Sequence, residues 1–148
     1  MIKLNLRLTF LLLVIILSFN IIAQDNSTNE VSISDAKIYY DQGNIKEALI
    51  AFEKFYDLYP SDTEICYYYG SCLVRSKIYP EIAIDILLQA STGNVPSNVF
   101  YYLGKAFHLK YKFAEAELNF SKFRQRASRA EIQTVNADLM DDMVRNAV

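Results

Sequence analysis

The chain has 148 residues, of which 52% are hydrophobic and 22% charged, and its formal net charge is −2. That length suits one ordinary domain, and the composition supports a packed core. A balance without excess positive charge excludes electrostatic tracking along nucleic acid.

In chain order, the first feature is an export-type leader. Lys3 and Arg7 form a basic start, Leu8–Phe19 is an apolar run, and Asn20–Ala23 leads into polar Gln24-Asp25-Asn26-Ser27. This is the layout of a secretory signal peptide over residues 1–23, with Ala23 as the last residue before cleavage. The run is near the short end for a membrane span, which needs roughly 20 apolar residues. Removal is expected; the alternative is retention as an anchor, and membrane contact is then confined to this segment. No cysteine follows the run, which argues against a lipid anchor. Without Lys3 and Arg7 the chain keeps 13 basic residues against 17 acidic ones. Residues 24–30 read as a short polar linker before a domain at 31–148.

The domain shows an internal period. Ala36, Gly70 and Gly104 are 34 residues apart, as are Tyr39, Leu73 and Phe107. Ala48, Phe52 and Phe55 recur at twice that interval as Ala116, Phe120 and Phe123, while Ala83, Leu87 and Ala90 stand 35 after their first counterparts. The extra residue falls near Tyr79-Pro80, in a loop where insertion costs little. Steps of three and four within each copy predict helices. They span about Val31–Asp41, Ile45–Leu58, Glu64–Ser76, Pro80–Ala90, Ser97–Lys110 and Phe113–Ala127. Gly43 can end the first helix in a left-handed turn, Pro60 stops the second, and Pro80 suits a first helical turn. Ser128 and Glu131 form a capping-box pattern that starts one more helix, with Ile132, Val135, Leu139 and Met143 on one apolar stripe.

Cys66 and Cys72 are six residues apart, so on a helix they are separated by about 9 Å of rise and diverge in direction. They read as buried small hydrophobes, neither a disulfide nor a metal pair. The chain has one histidine, His108, and no motif that would make it a base. Its four glycines are too scattered to cradle a phosphate. No catalytic residue, metal or cofactor is expected.

The 34-residue period resembles tetratricopeptide (TPR) repeats. YYDQGNIKEALIAFEKFYDLYP (Tyr39–Pro60) matches through Gly43, Ala48 and Pro60, and YYLGKAFHLKYKFAEAELNFSKF (Tyr101–Phe123) through Leu103, Gly104, Ala116 and Phe120. The middle copy keeps Gly70 and Ala83 but lacks the turn glycine and the closing proline. The resemblance implies an all-α, right-handed αα-superhelix of about three helix pairs, with repeats at about 29–62, 63–96 and 97–128. A capping helix over 129–146 follows. It also implies a concave groove lined by the first helix of each pair, used for binding protein. The helical phase then sends Ile33, Lys37 and Tyr40, then Tyr67, Ser71 and Val74, then Tyr101, Lys105 and His108 into that groove. The partner-binding set expected from this is Lys37, Tyr40, Tyr67, Ser71, Tyr101, Lys105 and His108. The positions of the carboxylate clamp known in some TPR proteins hold Ile33, Lys37, Tyr68, Asn98 and Tyr102, so that clamp is not expected.

YYLGKAFHLKYKFAEA further resembles the third repeat of TPR modules in bacterial envelope proteins that also carry β-propeller and OmpA-like domains. This implies a periplasmic or cell-envelope location and a non-enzymatic adaptor or scaffold with a protein or peptide partner. The alternative is a structural component of an envelope or secretion-type assembly, or a truncated relative of those peptidoglycan-associated proteins. Self-association through the C-terminal helix, with Met140, Met143 and Val144, is a further expectation.

Overall fold

The computed structural model describes residues 31–136. The expected signal segment, the linker and the expected helix beyond residue 136 lie outside them. Among the described residues all regular structure is α-helical, with α1 at Ile33–Asp41, α2 at Ile45–Leu58, α3 at Thr63–Arg75, α4 at Pro80–Ala90, α5 at Asn98–Leu109 and α6 at Phe113–Arg126. Residues 129–136 are also helical. The boundaries fall within two residues of those read from the period.

Local chemistry explains the starts. Ser32 and Asp35 cap α1 reciprocally: the Asp35 N–H donates to Ser32 Oγ, and the Ser32 N–H donates to Asp35 Oδ2, both at 3.1 Å. Asp62 caps α3 by accepting from the Glu64 and Ile65 N–H groups at 2.8 and 3.1 Å. Each bond satisfies a donor that the first helical turn would otherwise leave bare.

The helix ends show the period again, in backbone geometry. Gly43, Lys77 and Tyr111 are 34 residues apart, and all three are left-handed, with φ of 78°, 57° and 58°. Each turn closes with the same two bonds. The 43, 77 and 111 N–H groups donate to the Tyr40, Val74 and His108 carbonyls, and the Asn44, Ile78 and Lys112 N–H groups donate to those of Tyr39, Leu73 and Phe107. This is the Schellman arrangement, which occupies orphan carbonyls at a helix C-terminus. After Gly43 and Tyr111 the next helix starts two residues on. After Lys77 it starts three on, and the additional residue, Tyr79, also takes the left-handed region with φ of 45°. The one-residue slip in the period is thus absorbed at Tyr79, before Pro80 opens α4.

Between the helices of a hairpin, close approach requires a missing side chain. A Cβ on Gly70 would lie 2.7 Å from Leu87 Cγ, and one on Gly104 would lie 2.5 Å from Phe120 Cε1. Leu87, Phe52, Leu73, Leu103, Tyr102, Val74 and Val99 are the most deeply buried large side chains. Burying each contributes roughly 1.5–3 kcal/mol relative to exposure. Consecutive helices pack on each other, and α3 also touches α1 and α5, so the first helices of the hairpins lie side by side. Cys66 and Cys72 are free and buried, as their spacing predicts. The Cys66 thiol donates to the Pro60 carbonyl at 3.4 Å.

Glu131 ties the last described helix to the rest. Its Oε2 accepts from the Ser128 N–H at 2.7 Å, and the Glu131 N–H donates to Ser128 Oγ at 3.3 Å, completing the expected capping box. Its Oε1 accepts from the Ser97 N–H at 2.6 Å, at the start of α5. Burial pushes the Glu131 carboxyl up, but the bonds from Ser128 and Ser97 outweigh it and leave it below the ordinary carboxylate range.

Two outcomes are expected. Lys77→Gly and Tyr111→Gly should each raise stability by up to about 1 kcal/mol by relieving left-handed backbone, while Gly43→Ala lowers it by about 1 kcal/mol. Urea midpoints at unchanged slope check this. Because the Glu131 carboxyl titrates lower folded than unfolded, its contribution is full above the unfolded value and fades as pH falls through the folded one. Glu131→Gln should cost about 1 kcal/mol at neutral pH, and the gap to the wild type should close as pH falls below the ordinary carboxylate range, read from thermal melts across pH.

Candidate functional site

The side-by-side helices α1, α3 and α5 carry the residues that helical phase assigns to a groove. Packing sorts these residues into two groups. Tyr40, Tyr67, Ser71 and Tyr101 are buried, at 6, 4, 0 and 5% exposure. Lys37 and Lys105 are half-buried, and His108 is exposed. The expectation that the tyrosines present their rings to a partner is therefore corrected: Tyr40 and Tyr67 pack between hairpins, and Tyr101 packs against Phe120 and Phe123 of its own hairpin.

The rings form a continuous spine. Tyr40 meets Tyr68 edge-on at 5.0 Å and Tyr67 at 6.4 Å, Tyr67 meets Tyr102 at 6.4 Å, and Tyr102 meets Tyr101 edge-on at 5.3 Å. Tyr101 continues to Phe123 at 5.7 Å and Phe120 at 6.0 Å. Such tilted and edge-to-face pairs add about 0.5–1.5 kcal/mol each beyond their buried area. The Tyr40 hydroxyl donates to the Tyr102 hydroxyl at 3.0 Å, a buried bond across 62 residues of chain. Burial first, and then the neighbouring Tyr102, push the Tyr40 hydroxyl well above its usual range. Arg75 stacks on the Tyr40 ring at 4.9 Å and donates to the Tyr40 carbonyl at 3.4 Å. Lys37 is engaged as well: its Nζ lies 2.8 Å from Glu64 Oε1 and 5.5 Å from the Tyr68 ring centre. The bond from Glu64 raises the Lys37 ammonium above its ordinary value.

Among the described residues, a cleft lies at the far end of α3 and α5. Val74, Lys77, Lys105, His108, Leu109 and Phe120 line it, and its volume is about 280 Å³. Val74 and Phe120 form apolar walls, and Lys77, Lys105 and His108 place nitrogen groups around them. Lys105 Nζ lies 5.6 Å from the Tyr101 ring centre, which joins the cleft to the spine. His108 stands edge-on to Phe113 at 5.3 Å, and Phe113 to the exposed Tyr111 at 6.2 Å. Chemically the cleft suits an apolar side chain with a carboxylate beside it. Of the expected set, only Lys105 and His108 meet here. Lys77, Leu109 and Phe120 were missed. Leu109 was findable, since it stands four residues after Lys105 on the same helical face; Lys77 depends on the left-handed turn that points it back.

The described residues hold no cluster of three or more His, Cys, Asp or Glu that could bind a metal ion. Burial pushes the Cys72 thiol up to about 12 and raises that of Cys66, so neither supplies a thiolate nucleophile near neutral pH. A comparison with protein-family models returned no match, nor did searches of curated proteins and of solved structures.

The spine gives a direct expectation. Tyr101→Ala should cost about 3–5 kcal/mol by opening a cavity beside Phe120 and Phe123. Circular dichroism melts check it, and a loss of stability within ±0.5 kcal/mol, as for a surface position, would contradict burial of the ring.

Proposed function

We propose that this chain is a TPR-type adaptor: a right-handed superhelix of three helix pairs that binds a protein or peptide and performs no catalysis. The cleft of Val74, Lys77, Lys105, His108, Leu109 and Phe120 is the observation that carries the reading. Its lining comes from the first helices α3 and α5 and the turn after α3, with Phe120 from α6; in a stack of hairpins the first helices line the concave side. The recurrence of the same left-handed turn at 43, 77 and 111 supports the repeat assignment, as does the small residue at 36, 70 and 104. The leader-like residues 1–23 support export to the periplasm or cell envelope.

The partner fitted by this cleft is a peptide segment with an apolar side chain and an adjacent acidic group. Cations at the rim of such a site govern association rate and salt dependence more than final affinity. A second reading, a structural component packed within an envelope assembly, is favoured by one observation. Ile50, Ile82, Leu88 and Leu118 on α2, α4 and α6 are all 45–56% exposed, and apolar groups at the surface mark interfaces.

The deciding experiment recovers partners from the envelope with the full chain, then titrates the recovered partner. Lys105→Glu should weaken binding by about tenfold at low ionic strength and by less at high salt, with an unchanged circular dichroism spectrum. Equal affinity in the folded variant would remove the cleft and leave the outer face.

A further inference from the structure

The left-handed turns at 43, 77 and 111 differ in what they carry. The first uses glycine, which takes that conformation freely, whereas the other two hold Lys77 and Tyr111, and Tyr79 is left-handed as well. A side chain in this region costs stability that glycine would keep. Burial does not offset the cost, because Tyr79 and Tyr111 are 63 and 82% exposed. Backbone strain that no packing offsets points to a use for these side chains at the surface.

The two turns stand together. α3 packs on α5, and the Lys110 ammonium, just after α5, donates to Glu81 Oε1 at the start of α4. The joined turns form one ridge, on which Ile78, Tyr79, Leu109, Tyr111 and Phe113 are all 37–82% exposed. The matching turn of the first hairpin, Gln42-Gly43-Asn44, has no apolar side chain. Charge on the ridge is of one sign. Residues 76–80 and 105–114 carry four lysines and His108 and no carboxylate, in a chain whose formal net charge is −2.

Protruding rings and aliphatic groups interleaved with lysine match the layer where lipid headgroups meet acyl chains. There the apolar parts enter, while tyrosine hydroxyls and ammonium groups stay among the headgroups. A folded partner would need a concave surface shaped to these tips, whereas a fluid bilayer yields to them. We infer that the ridge docks on a bilayer surface containing anionic lipid. Tyr79, Tyr111 and Phe113 enter the headgroup layer, and Lys77 and Lys112 lie beside lipid phosphates. The contact is peripheral, made by turns, and it does not depend on the cleft receiving a peptide.

The sequence has no tryptophan, so Phe113→Trp in the full chain gives a single reporter on the ridge. Ser61→Trp, in the turn between α2 and α3 at the other end of the hairpins, gives a control. Each reads lipid contact at its own position, whatever else on the chain meets the vesicle. With vesicles of phosphatidylcholine and phosphatidylglycerol bearing brominated acyl chains, the ridge reporter should shift to the blue and be quenched. The control should keep its solution emission. Adding Tyr111→Gly relieves left-handed backbone and preserves the fold, yet it should weaken the quenching roughly threefold; Lys112→Glu should weaken it about fivefold at low ionic strength. A ridge reporter unchanged by vesicles would overturn the inference, as would equal quenching of the two reporters. So would quenching that Tyr111→Gly leaves intact, or that is as strong in phosphatidylcholine alone. A blue shift produced by soluble cell extract and not by vesicles would overturn it in favour of a protein partner.

Discussion

The meeting of tyrosine rings between α1, α3 and α5 is the interaction on which the rest of the molecule depends. A helical hairpin exposes apolar surface on both flanks and cannot stand alone, so stability comes from stacking neighbours. Here the stacking is done by rings that touch edge to face, fastened by the bond between the Tyr40 and Tyr102 hydroxyls. Rings suit this task because they bridge a wide gap with few rotatable bonds, and a hydroxyl at the tip lets a polar atom enter the interior with a partner. Second helices approach their own first helices closely at Gly70 and Gly104. Rings also serve them: Phe52 of α2 stacks on Tyr68 at 4.8 Å, and Phe120 and Phe123 of α6 meet Tyr101.

That packing limits the space left between the first helices. Along the spine it is filled, as Ser71 shows at 0% exposure. Among the described residues, the cleft lies towards the ends of α3 and α5, where Lys77, Lys105, His108 and Leu109 stand in place of tyrosine.

Much of this fold could be read from residues alone. Small residues at 36, 70 and 104 marked the close approaches, and the slip near Tyr79 located the longer turn. The burial of Tyr40, Tyr67 and Tyr101 could not be read the same way. Helical phase gives the direction of a side chain, but the depth of a groove depends on the distance to the neighbouring helix, which is set by the side chains it packs against. Lys77 and Tyr111 escaped for a different reason. Glycine announces a left-handed turn, and a lysine or tyrosine in the same place does so only through the register it shares with Gly43.

The two free cysteines carry a consequence of their own. Both sit in α3, the helix that touches α1, α2, α4 and α5, and both are sealed from solvent in the native state. A thiol so placed reacts only when the structure around it opens, so the native chain holds two intrinsic clocks of local unfolding. Cys66 faces the Pro60 carbonyl at the α2–α3 corner, and Cys72 lies nearly two turns further on, in the interior. Labelling each alone would time the opening of the corner separately from that of the centre. The difference between the two rates would show whether the hairpins separate in succession or open together as a single body.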